Sequence, residues 1–162
     1  MLNKRKISVI GGAGHVGFPL GLIFSSKGFS VKLIDKNKKN IEKINSGISP
    51  FLEEGSESLL SRMLKKKSLE ATNNLEHVKN SKYVIVCIGT PIDHTLSPEL
   101  KNFLNFFKTL KKYISKDQII IIRSSIYPGI CEKVYSIIKS KNRNLSYCPE
   151  RILQGQSLKE LP

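Results

Sequence analysis

The strongest constraint on this chain lies near its start, where the apolar run 7–10 leads directly into a turn containing Gly12, Gly14 and Gly17. Apolar residues then recur at helical spacing over residues 16–24, so the hydrophobic period changes across the glycines as a strand, tight turn and helix require. In such a unit the first glycine allows the turn, the second lets the backbone approach a pyrophosphate, and the third lets the helix pack on the strand. The pattern predicts a dinucleotide site at the amino terminus of the first helix.

An acidic residue follows at the expected interval. Asp35 comes directly after the second apolar run, 29–34, about 20 residues beyond the glycine turn. A carboxylate there accepts hydrogen bonds from a ribose diol and repels a 2′-phosphate, so the sequence favours NAD over NADP. Lys36, Lys38 and Lys39 weaken this preference. A glycine turn in an unrelated α/β domain is the alternative at this point.

Length and composition predict one domain, residues 1–162, with an ordinary core, because 40% of the 162 residues are hydrophobic. The sequence has no apolar run as long as a membrane span and no secretory pattern before the first strand, so we expect a cytoplasmic location. Cys87, Cys131 and Cys148 are odd in number and lack metal-ligand spacing, which predicts reduced thiols and no metal site.

The net charge of +14 raises the alternative of a polyanion partner. The lysines are spread along the chain, however, and several interleave with the apolar face of one predicted helix, residues 100–112. The dense runs 36–39 and 65–67 carry no interleaved aromatic residues. We therefore interpret the lysines as solvated surface, and expect neither a nucleic acid nor a membrane partner.

The rest of the chain alternates between apolar runs and amphipathic segments. The expected strands are 69–72, 83–88, 119–122 and 144–147, and the expected helices are 37–45, 56–66, one opening at 97–99, and 130–139. This alternation predicts an α/β fold of the Rossmann type, a doubly wound, mostly parallel sheet with helices on both faces. Ligands of such sheets bind beyond the carboxyl ends of the strands, so the residues directly after each apolar run are the candidate site residues.

Three further segments at these strand ends carry a family resemblance. They are residues 87–91 (Cys-Ile-Gly-Thr-Pro), 124–129 (Ser-Ser-Ile-Tyr-Pro-Gly) and 147–155 (Tyr-Cys-Pro-Glu-Arg-Ile-Leu-Gln-Gly). Together with the glycine turn, they resemble the amino-terminal domain of the UDP-glucose/GDP-mannose dehydrogenases over essentially the whole chain. The sequence is most similar to the branch acting on UDP-N-acetylmannosamine or UDP-N-acetylglucosamine, enzymes that serve polysaccharide biosynthesis.

The resemblance implies oxidation of a sugar C6 hydroxyl to a carboxylate in two hydride transfers, with NAD as oxidant. It implies site residues as follows: Gly12, Gly14, His15, Val16, Gly17, Asp35, Lys36, Thr90 and Ser124 at the cofactor, Glu150 and Ser125 in hydrolysis of a thioester, and Arg151, Ile152 and Leu153 along the substrate. Two departures stand out. Ser125 replaces a threonine that positions water in the family, and Ile130 replaces a threonine near the cofactor.

The catalytic cysteine of the family has no counterpart at Cys87, Cys131 or Cys148, and Cys148 is expected to be a buried structural thiol. We therefore expect this chain to be the cofactor half of such an enzyme, without its central helix and sugar-nucleotide domain. By itself it should be inactive, and homodimeric only when those parts are present. The remaining alternatives are a dehydrogenase domain of the hydroxyacyl or phosphogluconate type and a non-catalytic module that binds NAD or a polyanion.

Overall fold

The fold is a single six-stranded sheet covered by helices, seen in a computed structural model that describes residues 2–3, 5–89, 100–151 and 158. The strands are β1 (Lys6–Ile10), β2 (Ser30–Ile34), β3 (Leu69–Thr72), β4 (Tyr83–Val86), β5 (Ile119–Ile122) and β6 (Leu145–Tyr147). The helices are α1 (Gly17–Ser26), α2 (Lys38–Asn45), α3 (Ser56–Lys65), α4 (Leu100–Leu110) and α5 (Ile130–Ile138), with a 3₁₀ helix at Leu75–Asn80.

The strand order is β3-β2-β1-β4-β5-β6, and each neighbouring pair is parallel. This confirms the predicted doubly wound α/β fold. The chain passes from β1 to β2 on one side of β1 and later crosses over to β4 on its other side. The strand order therefore reverses direction at β1. A crevice forms outside the carboxyl ends of the strands at such a switch point, which is where a ligand is expected.

Alternating side chains of the central strands build two apolar layers, one on each face of the sheet. Val9 and Leu33 belong to the layer that packs under α1 and α3, and both are fully buried. Val84 and Val86 belong to the opposite layer, under α4 and α5. Strands buried on both faces explain the continuous apolar runs of the sequence, since neither face meets water.

Several element boundaries differ from the sequence-based expectation. Helix α3 ends at Lys65 rather than residue 66, and its N-cap is Gly55, which has a left-handed φ of 77°. The buried Ser56 hydroxyl donates to Ser49 Oγ at 3.0 Å. Strand β4 ends at Val86 rather than residue 88, and the 3₁₀ helix was not predicted. The expected helix opening at 97–99 lies outside the described residues.

Within the described ranges, every helix is too short or too polar to cross a membrane.

Candidate functional site

The turn after β1 depends on a glycine that the sequence reading passed over. Gly11 has a left-handed φ of 77°, and a Cβ on it would lie 2.6 Å from the Cys87 carbonyl oxygen. The Gly11 and Gly12 N–H groups both donate to the Ile34 carbonyl, at 2.8 and 3.1 Å. The left-handed residue of the turn is therefore Gly11, which precedes the predicted turn glycine Gly12.

The other glycines of the turn are required by close packing. A Cβ on Gly12 would lie 2.6 Å from the Val9 carbonyl oxygen and 2.7 Å from the Leu33 Cα. A Cβ on Gly17 would collide with the Gly11 carbonyl oxygen, so α1 packs against the turn only with glycine there. Gly14 is less crowded, its one near neighbour being that same carbonyl oxygen at 3.2 Å. Its backbone is therefore open to a ligand.

Asp35 follows β2 and holds the glycine turn in place. Its Oδ2 accepts a hydrogen bond from the Ala13 N–H, and its Oδ1 accepts one from the Asn37 N–H, each at 3.0 Å. The Asn40 side chain donates to the Ala13 carbonyl at 3.1 Å, so both polar groups of Ala13 are bound by side chains. Asn40 was not found by sequence reasoning, since it lies 27 residues from Ala13.

A cleft of about 610 Å³ opens at the carboxyl ends of β1, β2 and β4. Asp35 and Lys36 line it beside Gly11 and Gly14, and Leu75, Phe103 and Phe106 form apolar walls. Its size is that of a small-molecule site. The residues fit a dinucleotide. Apolar side chains suit an adenine ring, a carboxylate suits a ribose diol, and the positive end of the α1 dipole suits phosphates.

His15 lies beside the turn and contacts a distant loop. Its ring stacks on Phe51, with ring centroids 3.7 Å apart and an interplanar angle of 27°. Val16 is the N-cap residue of α1 and uses no side-chain hydrogen bond there. Thr90, expected at the cofactor, lies outside the described residues.

Ser124 and Ser125 follow β5 and differ in surroundings. The Ser124 side chain is buried, and its hydroxyl donates to the Ile88 carbonyl at 2.7 Å. Ser124 thus fastens the end of β5 to the end of β4, whereas Ser125 is exposed. The cofactor role expected of Ser124 remains a prediction, as does the role of Ser125 in hydrolysis.

Glu150 lies just beyond β6 in an ion pair that the sequence reading missed. Its Oε2 accepts from Arg123 Nε at 3.1 Å and also from a terminal guanidinium nitrogen of Arg123. Oε1 accepts from the Arg151 N–H at 2.7 Å. The Glu150 side chain is 10% exposed and that of Arg123 20%, so the pair is largely shielded from water. Arg151 is exposed, and Ile152 and Leu153 lie outside the described residues.

The three cysteines have different environments. Burial raises the pKa of the Cys87 thiol to about 12, against the lowering effect of Arg123 and with a further raising effect of Glu150. Burial and then Glu132 raise the pKa of Cys131. Cys148 is exposed, so the expectation that it is a buried structural thiol is wrong.

A parallel sheet in this strand order, with a glycine turn leading into α1 and a carboxylate after β2, defines a dinucleotide-binding domain of the Rossmann type. The chain belongs to the UDP-glucose/GDP-mannose dehydrogenase family: the family's NAD binding domain matches residues 5–162. This match favours the nucleotide-sugar group over the hydroxyacyl and phosphogluconate groups.

Individual relatives agree with the family assignment. The chain is 29% identical to the UDP-N-acetyl-D-mannosamine dehydrogenase of Pyrococcus horikoshii, over 96% of this chain and 38% of that protein. It is 31% identical to the enzyme of the same name from Methanococcus vannielii, over 97% of this chain and 36% of that protein. The chain therefore spans little more than a third of these curated relatives.

Solved structures give the same result. The UDP-D-ManNAc dehydrogenase structure from Pyrococcus horikoshii superposes with a TM-score of 0.85 at 28% identity, covering 96% of this chain and 38% of that one. Cap5O of Staphylococcus aureus, a UDP-N-acetyl-mannosamine dehydrogenase, superposes with a TM-score of 0.84 at 25% identity, over 96% and 39%.

Proposed function

We propose that this chain is the NAD-binding part of a nucleotide-sugar 6-dehydrogenase that oxidises a UDP-N-acetylhexosamine, UDP-ManNAc or UDP-GlcNAc, to its uronic acid. The observation that carries the cofactor part is the cleft beside Gly14 and Asp35, in a chain of this family. The choice of sugar is supported by the names of relatives at 29% and 31% identity. A UDP-glucose 6-dehydrogenase of Rickettsia felis is also related, at 27% identity, so glucose is the competing sugar.

In this proposal the glycine turn and the α1 amino terminus hold the pyrophosphate. The glycines at positions 12, 14 and 17 let the backbone approach the pyrophosphate, and the backbone N–H groups of His15 and Val16 donate hydrogen bonds to it. The Asp35 carboxylate already accepts from the Ala13 and Asn37 N–H groups, but each of its oxygens can accept more than one hydrogen bond. It can therefore also accept hydrogen bonds from the hydroxyl groups of the adenosine ribose. Bound NAD supplies an acceptor for the hydride that leaves the sugar carbon.

The acid–base part of the proposal rests on the end of β6. Arg123 holds the Glu150 carboxylate in an ion pair beyond the end of β5. In this proposal that carboxylate takes a proton from an attacking water. Ser125 is proposed to orient that water, and Arg151 to bind polar groups of the substrate. By the family resemblance none of the three cysteines occupies the place of the nucleophile, and burial, which raises the pKa of Cys87 and of Cys131, agrees with this proposal.

The assignment of Asp35 is tested by calorimetric titration with NAD and NADP. Asp35→Asn keeps one oxygen acceptor for the backbone of the turn but loses the charge that favours a ribose diol over a 2′-phosphate. We expect NAD affinity to fall about tenfold, the usual effect of losing a hydrogen bond to a charged group, with a much smaller change for NADP.

Glu42→Gln is the matched control, since Glu42 is an exposed carboxylate on α2 outside the cleft. This variant should bind NAD as the parent chain does. Equal losses of NAD and NADP in Asp35→Asn would show that Asp35 does not contact the ribose. No heat with either nucleotide in the parent chain would reject the cofactor assignment.

A further inference from the structure

We propose that the amino-terminal edge of the sheet, opposite the cofactor cleft, is a surface that adsorbs to anionic lipid bilayers. In a parallel α/β sheet the strand starts and the helix ends meet at one edge. Here the helix ends carry basic residues: Lys65 ends α3 and Lys66 and Lys67 follow it, Lys111 and Lys112 follow α4, and Lys139, Lys141 and Arg143 follow α5.

The strand starts add more positive charge to this edge. Arg5 and Lys6 open β1, Lys27 follows α1 before β2, Lys82 precedes β4, and Lys116 precedes β5. About half of the 27 lysine and arginine residues of the chain therefore lie at one edge of the sheet. Most are exposed, Lys82 and Lys111 being half-buried.

Hydrogen bonds between the loops make the edge one continuous surface. Ser25 at the end of α1 and Ser68 before β3 join their hydroxyls at 2.7 Å. The Lys82 N–H donates to the Lys6 carbonyl at 3.0 Å. Asn144 Nδ2 donates to the Lys116 carbonyl at 2.9 Å, which connects the starts of β5 and β6.

Acidic residues do not neutralise this surface. Among the described residues of the edge, Asp117 is the one carboxylate, and Lys82 Nζ binds its backbone carbonyl oxygen. The acids Asp35, Glu53 and Glu150 belong to the opposite, cofactor edge. The amino-terminal edge therefore carries a strong net positive charge, which attracts polyanions.

The composition of the edge favours a bilayer over a nucleic acid. Lysine dominates, with Arg5 and Arg143 the two arginines, and lysine is a hydrated point charge rather than the planar fork that reads phosphates and bases. Stacking of single strands needs several aromatic rings, and Tyr135, 38% exposed, is the one exposed aromatic near the edge in the described part of the chain.

Many separate lysines are instead attracted by the diffuse negative potential of anionic headgroups. Each lysine near the bilayer raises the partition coefficient of the protein about fivefold. Adsorption through this edge leaves the cofactor cleft facing away from the lipid. The bound protein would therefore still take up NAD from solution, and binding would be reversible and weakened by salt.

The test is sedimentation of the chain with phosphatidylcholine vesicles containing about 30 mol% phosphatidylglycerol, compared with pure phosphatidylcholine vesicles. A variant with Lys65→Gln, Lys66→Gln and Lys141→Gln is compared with a matched variant carrying Lys38→Gln, Lys39→Gln and Lys101→Gln. Both lose three exposed charges, but the second set lies in the first turns of α2 and α4, near the cofactor edge. Thermal melts verify that both variants are folded.

The parent chain should bind the anionic vesicles at low salt and not the neutral ones. The edge variant should lose about a hundredfold in partition coefficient, and the control variant less than tenfold. NAD affinity should be the same with and without vesicles. The proposal is overturned if the chain does not bind anionic vesicles, if both variants lose equally, or if the chain binds duplex DNA and leaves the vesicles unbound.

Discussion

At the scale of single residues, the cysteines give a direct test of local environment. The Cys87 pKa of about 12 means that this thiol stays protonated at pH 8, whereas Cys148 is exposed to reagent. Iodoacetamide at pH 8 should therefore modify Cys148 first and leave Cys87 unmodified, as measured by peptide mass spectrometry. The unfolded chain, in which all three cysteines react, is the control. Fast modification of Cys87 in the folded chain would contradict the raised pKa of this thiol.

The same thiol makes stability depend on pH. The folded-state pKa of Cys87 lies above its ordinary value of 9.0, so only the unfolded state loses this proton in moderately alkaline solution. Its contribution to stability is complete below about pH 9 and is lost as the pH rises towards 12.

Residue roles could be predicted from the sequence where they depend on local spacing. Gly14, Gly17 and Asp35 are examples, because a strand, a turn and a helix place them by chain connectivity alone. The partner of Glu150 could not be predicted, since Arg123 is 27 residues away and meets it only because β5 and β6 are neighbours.

At the scale of elements, strand β3 forms one edge of the sheet and is protected by a side chain. Asn45 at the end of α2 donates to the Ala71 carbonyl at 2.8 Å, and its Oδ1 accepts from the Ala71 N–H at 2.9 Å. The amide thus makes the two hydrogen bonds that another strand would make, and it blocks pairing with a second chain at this point.

Asn45→Ala should remove both hydrogen bonds and leave the buried Ala71 backbone without partners. We expect the free energy of unfolding to fall by about 1–3 kcal/mol, measured by urea denaturation. Asn80→Ala, an exposed asparagine in the 3₁₀ helix, should change it by less than about 0.5 kcal/mol. Equal effects of the two substitutions would show that the Asn45 side chain does not stabilise the edge.

Elements with long apolar runs were predicted well, since burial on both faces leaves little ambiguity in strands such as β4 and β5. The errors fall at element ends. The α3 cap and the 3₁₀ helix depend on loop conformation: Gly55 takes a left-handed φ, and the Ser56 hydroxyl is used by Ser49. No periodicity in the sequence encodes either feature.

At the scale of the whole molecule, the fold gathers residues that look dispersed in sequence. The lysines were interpreted as scattered solvated surface, which is correct for each helix considered alone. Alternating strands and helices, however, bring the ends of α1, α3, α4 and α5 to the same edge, so basic residues that are spread along the sequence form a single patch. The sequence reading missed the patch because it depends on the direction of the elements and not on local density.

The two apolar layers should unfold together, because adjacent residues of β1 and β4 contribute to opposite layers. Val9 and Ile10, for example, are neighbours in the chain but belong to different layers. Loss of either layer would expose one face of the same strands. We therefore expect a single unfolding transition in urea, with the same midpoint by far-ultraviolet circular dichroism and by tyrosine fluorescence.

Leu22→Ala and Leu110→Ala test this by truncating one fully buried leucine in each layer. Each should lower the free energy of unfolding by about 2–5 kcal/mol, the usual cost of a buried Leu→Ala change. Because the layers share their strands, each substitution should shift the midpoint of both probes equally and leave the denaturant slope unchanged. A variant whose two probes separate would show that its layer unfolds alone, and would place the boundary between independent folding units within the sheet.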